Sequence, residues 1–337
     1  MSKHPLLQLV AATSLFLGPE VARGQATSRP SERSGGWSLG RLFDYARPER
    51  IVVEESTPSK AHLSFHGRPP QLRESGNDLD LTERTAEPTT VGSVDIRRLR
   101  FKDADGDLVT ALLCTPAGKP GPFPLAIAVH GLNSNKAQVC GQVAPALAKR
   151  GFAVLAPDMP VHGERPGSPQ SLFQSKDWMT AISLHRRAII DIRQCIDVAE
   201  KRPDIDASRG VVLTGYSMGA WLHSIAGPID PRVRAMVLMV GGATDAGPVL
   251  RMLPQLAAAD PLQALPHFAG RPLLMLNGLH DMTVTPEMAE RLYQAAAEPK
   301  QQKWYDSGHL LPDRAYDDAA KWVAETWTKL AADAPAK

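Results

Sequence analysis

The chain has 337 residues, 43% of them hydrophobic, enough to bury a substantial core in one large domain with appendages. Its 38 lysines and arginines stand against 36 aspartates and glutamates, well interspersed, and the net charge of +2 excludes the basic face that a nucleic-acid partner requires. Three cysteines, Cys114, Cys140 and Cys195, are odd in number and widely spaced; that spacing reads as neither a disulfide framework nor a metal motif, and each reads as a small buried apolar residue.

The N-terminus carries Lys3, a mostly apolar run from Leu6 to Leu17, and Gly24 and Ala26 at the −3 and −1 positions of a cleavage site. Residues 1–26 therefore read as a secretory signal, with export to the periplasm or beyond after cleavage near Ala26. The apolar run is too short for a stable membrane span. Residues 27–90 are rich in Ser, Pro, Arg and Glu, and such a stretch buries too little apolar surface to offset its ordering entropy. It reads as a partly disordered extension or extended wrap. One island, Trp37, Leu39, Leu42, Phe43 and Tyr45, has the composition of a short helix docking on the main domain, which occupies residues 91–337.

Around Asp105-Gly106, alternating apolar and polar residues predict a hairpin of two antiparallel strands. An apolar strand from Pro124 ends in His130-Gly131, and Val139, Val143 and Leu147 mark a helix stopped at Gly151. A buried strand over 152–158 follows. Residues 175–202 form the clearest helix, with Trp178, Ile182, Ile189, Ile192, Ile196 and Ala199 on one stripe. Strands are then expected at 210–214, 233–242, 271–278 and 300–309, a helix capped by Thr285, and a closing helix over 312–332. The thirty residues from Gly241 to Gly270 exceed a plain crossover. They predict a small helical lid whose Val249, Leu250, Met252, Leu253 and Leu256 either line an acyl pocket or pack onto the core. Strands alternating with helices imply the α/β class: a mostly parallel eight-stranded sheet covered on both faces, with any site at the carboxyl ends of its strands.

Gly215-x-Ser217-x-Gly219 lies where a strand gives way to a helix, the pattern of a nucleophile elbow. The glycines permit a turn tight enough to expose the serine hydroxyl; the plainer reading is a serine capping the helix. Asp281 and His309 follow the ends of later strands, and His130-Gly131-Leu132 follows an earlier one. Ser217 is the candidate nucleophile and His309 the base that takes its proton and returns it to the leaving group. Asp281 would hold the imidazole tautomer, with Asp245, Asp260 and Asp306 as competitors. His130 and His162 read as loop-shaping residues, His162 bonding to Asp158 or to nearby backbone.

Together, His130-Gly131, Asp158 with "VHGERPG", Gly215-Tyr216-Ser217-Met218-Gly219, "DPLQALPHFAGRPLLMLNGLHD" and Ser307-Gly308-His309 resemble the α/β-hydrolase superfamily, and within it the dienelactone hydrolase and acetyl-esterase-like group. The resemblance covers most of residues 91–332. It implies the α/β-hydrolase fold, an oxyanion hole made by the backbone N–H groups of Met218 and Leu132, and no cofactor or metal. Dienelactone hydrolases carry cysteine at the elbow; Ser217 here favours an oxygen ester. The reading is a serine hydrolase cleaving a small-molecule carboxylic ester through an acyl-enzyme. Alternatives are a thioesterase or small-amide or peptide hydrolase and, from another class, a non-catalytic ligand-binding protein on the same fold. No motif sets an oligomeric state.

Overall fold

The computed structural model describes residues 41–57, 89–170, 178–244 and 259–332. The signal segment 1–26, Trp37 and Leu39 of the docking island, Asp245 and the five apolar lid residues lie outside the described residues.

Short aliphatic runs form the strands because a parallel sheet covered on both faces buries every side chain of its central strands. In chain order the elements are β1 (Glu54–Ser56), β2 (Thr89–Val91), β3 (Val94–Lys102), β4 (Leu108–Pro116), β5 (Phe123–Val129), α1 (Lys136–Lys149), β6 (Ala153–Pro157), α2 (Trp178–Glu200) and β7 (Ile205–Asp206). They continue with β8 (Val211–Tyr216), α3 (Met218–Ile229), β9 (Val233–Met239), a four-residue α4 (Pro261–Ala264), β10 (Leu273–Gly278), α5 (Pro286–Ala295), β11 (Lys300–Tyr305) and α6 (Asp313–Ala332). The sheet runs β1-β3-β4-β6-β5-β8-β9-β10-β11, with β2 also on β3 and β7 on β5. From β6 to β11 the neighbours on this path are parallel; β3 and β4 are antiparallel to each other, and β4 to β6.

Among the described residues the sheet thus has eleven strands where eight were expected. The surplus is β1, β2 and β7, ladders of two or three residues whose sequences carry no apolar run. They exist because β3 and β5 offer them backbone partners. The hairpin between β3 and β4 turns at Gly106, with φ +88°, and the Asp103 carboxylate accepts from the N–H groups of Asp105 and Asp107.

Period-two alternation divides the core in two. On β5, Leu125, Ile127 and Val129 join one cluster with Ile189, Ile192 and Ile196 of α2 and Leu222 and Ile225 of α3. Ala126 and Ala128 face the other, with Val139 and Val143 of α1 and Val323 and Trp327 of α6. Each fully buried Leu or Ile contributes about 1.5–3 kcal/mol. Residues 41–57 wrap onto the α2 side. Phe43, in a 3-10 turn (Arg41–Phe43), is fully buried, and its carbonyl accepts from Arg193. Tyr45, Arg47 and Arg232 converge on the Asp197 carboxylate. Among the described residues no helix is long and apolar enough to cross a membrane.

Candidate active site

The elbow is built as the glycine spacing requires. Ser217, between the last residue of β8 and the first of α3, has φ +55° and ψ −109°, a region that costs a non-glycine residue about 1–3 kcal/mol. A Cβ at Gly215 would lie 2.4 Å from the Gly219 carbonyl carbon, and one at Gly219 would lie 2.0 Å from the Val129 oxygen. No side chain fits at either position. The Ser217 side chain makes no capping bond to α3, so the helix-cap reading fails. Its Oγ lies instead 3.0 Å from His309 Nε2.

His309 comes from the loop after β11, and Asp281 from the loop after β10. The two loops are joined by hydrogen bonds from the Leu279 and His280 N–H groups to the Tyr305 and Ser307 carbonyls. Gly278 lets them meet, since a Cβ there would stand 2.3 Å from the Gly308 oxygen. His309 Nδ1 is 2.8 Å from Asp281 Oδ2, while Asp281 Oδ1 accepts from the Thr283 and Val284 N–H groups at 2.8 and 2.9 Å. A carboxylate accepts only, so Nδ1 carries the proton and Nε2 turns its lone pair to the serine. Asp281 is 2% exposed and Ser217 4%; the His309 side chain is about one-quarter exposed. This line of three groups can draw a proton from the hydroxyl and stabilise the resulting imidazolium.

Two of the competing carboxylates are engaged elsewhere. Asp306 pairs with exposed His280 at 2.8 Å, and Asp260 caps α4 by accepting from the Leu262 N–H. Tyr216, unremarked in the sequence beyond its place in the elbow, donates to the His309 carbonyl at 2.5 Å and accepts from the Leu311 N–H at 3.3 Å. It anchors the histidine loop to the strand that carries the serine. Only the residue before the serine in the elbow could have drawn attention to it.

Opposite the elbow, a Cβ built on Gly131 would stand 3.5 Å from Ser217 Cβ, which puts the His130-Gly131-Leu132 loop beside the serine. Leu132 follows, packed on the main core, and Met218 opens α3, where the first helical N–H has no partner within the helix. His130 shapes this loop: Nδ1–H donates to the Gly131 carbonyl, and Nε2 accepts from the Met159 N–H at 3.1 Å. Complete burial pushes its pKa down to about 3, so the ring is neutral. His162 bonds the Pro160 carbonyl rather than Asp158. Asp158 is itself a fully buried hub that receives Thr110, the Lys136 ammonium and backbone N–H, and the Glu164 N–H. Burial opposes its charge, but Lys136 prevails and holds the carboxyl below the usual range. Lys136 and Glu164 were not singled out in the sequence because their partners lie more than twenty residues away. Among the described residues no group of three or more His, Cys, Asp or Glu side chains is arranged to hold a metal ion.

Residues 126–334 match the model of the alpha/beta hydrolase family, well over half of the chain. The chain belongs to this family. The match runs from β5 through α6, so this alpha/beta hydrolase has Leu132, Ser217, Met218, Asp281 and His309 all within the matched span. It is similar to Esterase YjfP of Escherichia coli (strain K12), with 27% identity over 214 residues, 58% of this chain and 84% of that protein. Among solved structures it is similar in fold to acetyl xylan esterase 1 from Thermoanaerobacterium sp. JW/SL YS485, at 19% identity and TM-score 0.60, covering 86% of this chain and 92% of that one. The acetyl xylan esterase from Paenibacillus sp. R4 is also similar, at 22% identity and TM-score 0.57, covering 71% and 86%.

Proposed function

We propose that this alpha/beta hydrolase is a serine esterase that cleaves a small-molecule carboxylic ester through an acyl-enzyme. The observation that carries the reading is the hydrogen-bonded line from Ser217 Oγ through His309 to Asp281, at 3.0 and 2.8 Å, starting from a strained serine whose side chain makes no capping bond. The similarity to a curated esterase supports it.

Ser217 Oγ attacks the ester carbonyl carbon while His309 Nε2 takes the hydroxyl proton. Negative charge moves to the former carbonyl oxygen, which accepts hydrogen bonds from the backbone N–H groups of Met218 and Leu132. Collapse expels the alkoxide, protonated by His309, and leaves an acyl group on Ser217. Water, deprotonated by His309, attacks that acyl carbon; a second collapse returns the proton to Ser217 and releases the carboxylic acid. Throughout, Asp281 holds the Nδ1–H tautomer and stabilises the imidazolium. The residues of the proposed chemistry all lie within 91–337, on which residues 41–57 of the 27–90 extension pack, and we infer export after removal of residues 1–26, on the composition of that segment.

Release of p-nitrophenol from acetate, butyrate and octanoate esters tests this, with Ser217→Ala as the comparison. The wild type is expected to turn over at least one ester, and the variant to lose about 10⁴–10⁶-fold or fall to background. Equal rates from both proteins would remove Ser217 from the chemistry, and no turnover of any ester would count against the esterase reading.

A further inference from the structure

Two of the three cysteines, 26 positions apart in the chain, meet in the fold. Cys114 lies on β4 and Cys140 on α1; both are fully buried in the α1 and α6 core, and their sulfurs are 3.3 Å apart. Cys195 is in the other core, across the sheet, on α2. A disulfide has an S–S length of about 2.05 Å, so closing the bond needs an approach of about 1.3 Å, shared between a strand and the helix packed on it.

We propose that Cys114 and Cys140 form a disulfide as the chain folds in an oxidising compartment, stapling α1 to the sheet. The oxidant is a small-molecule or enzyme disulfide. One cysteine thiolate attacks it, releasing one thiol and leaving a mixed disulfide. The second cysteine then attacks the mixed disulfide and releases the other thiol. In sum, two protein thiols and one external disulfide give one protein disulfide and two external thiols, and two electrons pass to the oxidant. The hydrogen bond between the two thiols, with burial, holds the Cys140 thiol well above the usual range. Once packed, Cys140 presents little thiolate and neither sulfur is accessible, so closure belongs to the folding chain.

The closed segment contains β5 and the His130-Gly131-Leu132 loop that stands beside Ser217. A staple there limits the freedom of the unfolded chain in the part that builds one wall of the site. Compartment sets whether such a bond persists, which links this inference to the proposed export.

The test takes the full chain, denatured and reduced, and refolds it in mixed reduced and oxidised glutathione, followed by thiol counting under denaturing conditions and peptide mapping. One free thiol, at Cys195, and a linked Cys114–Cys140 peptide are expected, with the mass lower by about 2 Da. The same chain refolded and melted with reductant present throughout should have a melting temperature lower by about 5–10 °C. Cys195→Ala, refolded in the same way, should show no free thiol. Three free thiols after refolding, a bond that involves Cys195, or a linked peptide with no lower melting temperature in the reduced chain would overturn the proposal. None of these readouts depends on ester turnover, so the inference and the esterase reading can fail separately.

Discussion

Four aspartates competed at the sequence level for the place behind His309, and a single contact separates them. Asp281 reaches His309 Nδ1 at 2.8 Å with its second oxygen held by two backbone N–H groups, whereas Asp306 forms an exposed pair with His280. An amide at position 281 can donate to Nδ1 and so favour the tautomer that carries its proton on Nε2, facing the serine. We expect Asp281→Asn to lower kcat/KM for a p-nitrophenyl ester by about 10³–10⁴-fold while the protein stays folded. Asp306→Asn should change it by less than about twofold, as usual for an exposed pair. The reverse order of effects would transfer the acid role to Asp306 and break the geometric account.

At the scale of elements, buried histidines couple the fold to pH. His185 on α2 and His223 on α3 are pushed down to about 4 and about 3, and His130 in the loop after β5 to about 3, each by burial. The unfolded chain binds these protons near pH 6.5 and the folded chain does not, so their contribution to stability is present above pH 6.5 and is lost as pH falls toward 3–4. Asp191, also between buried elements, works in the opposite direction. Complete burial raises it to about 7, outweighing its contact with Arg165, which also bridges to Asp103. Its protonated form favours folding at low pH, and that contribution is lost between about pH 4 and 7. Three histidines against one aspartate leave a net uptake of about one to two protons on unfolding between pH 4.5 and 6.5, a slope of about 1.4–2.7 kcal/mol per pH unit. Urea midpoints should therefore fall steadily as pH drops through this window, and His223→Leu should flatten the slope by about one proton. Midpoints that do not change with pH would contradict the neutral buried rings.

Over the whole molecule, the main strands and helices were legible wherever a local pattern stood for a global environment. The aliphatic runs of β5, β6, β8, β9 and β10 are the parts buried on both faces, and the Thr285 cap and the Gly106 turn carry their own local chemistry. Elements made by tertiary placement were not legible. Glu54-Glu55-Ser56 becomes a strand only because β3 offers an edge, and Lys136 acquires its role only beside Asp158 and Glu164. Cysteine spacing likewise gave no hint that Cys114 and Cys140 would touch. At the site, the elbow, the histidine and the His-Gly loop were visible as residue types at strand ends. The choice of Asp281 over its competitors, and the anchoring of His309 by Tyr216, needed the geometry of joined loops. All of this converges on one hydroxyl, that of Ser217, 4% exposed and held 3.0 Å from an imidazole nitrogen. Its reactivity is tested most directly by treating the protein with an organophosphonate ester that traps activated serines and mapping the adduct by peptide mass spectrometry. One adduct per chain is expected, on Ser217, with loss of ester turnover in proportion to labelling and no adduct in Ser217→Ala. Full labelling at another residue, or turnover that survives complete modification of Ser217, would contradict the serine mechanism.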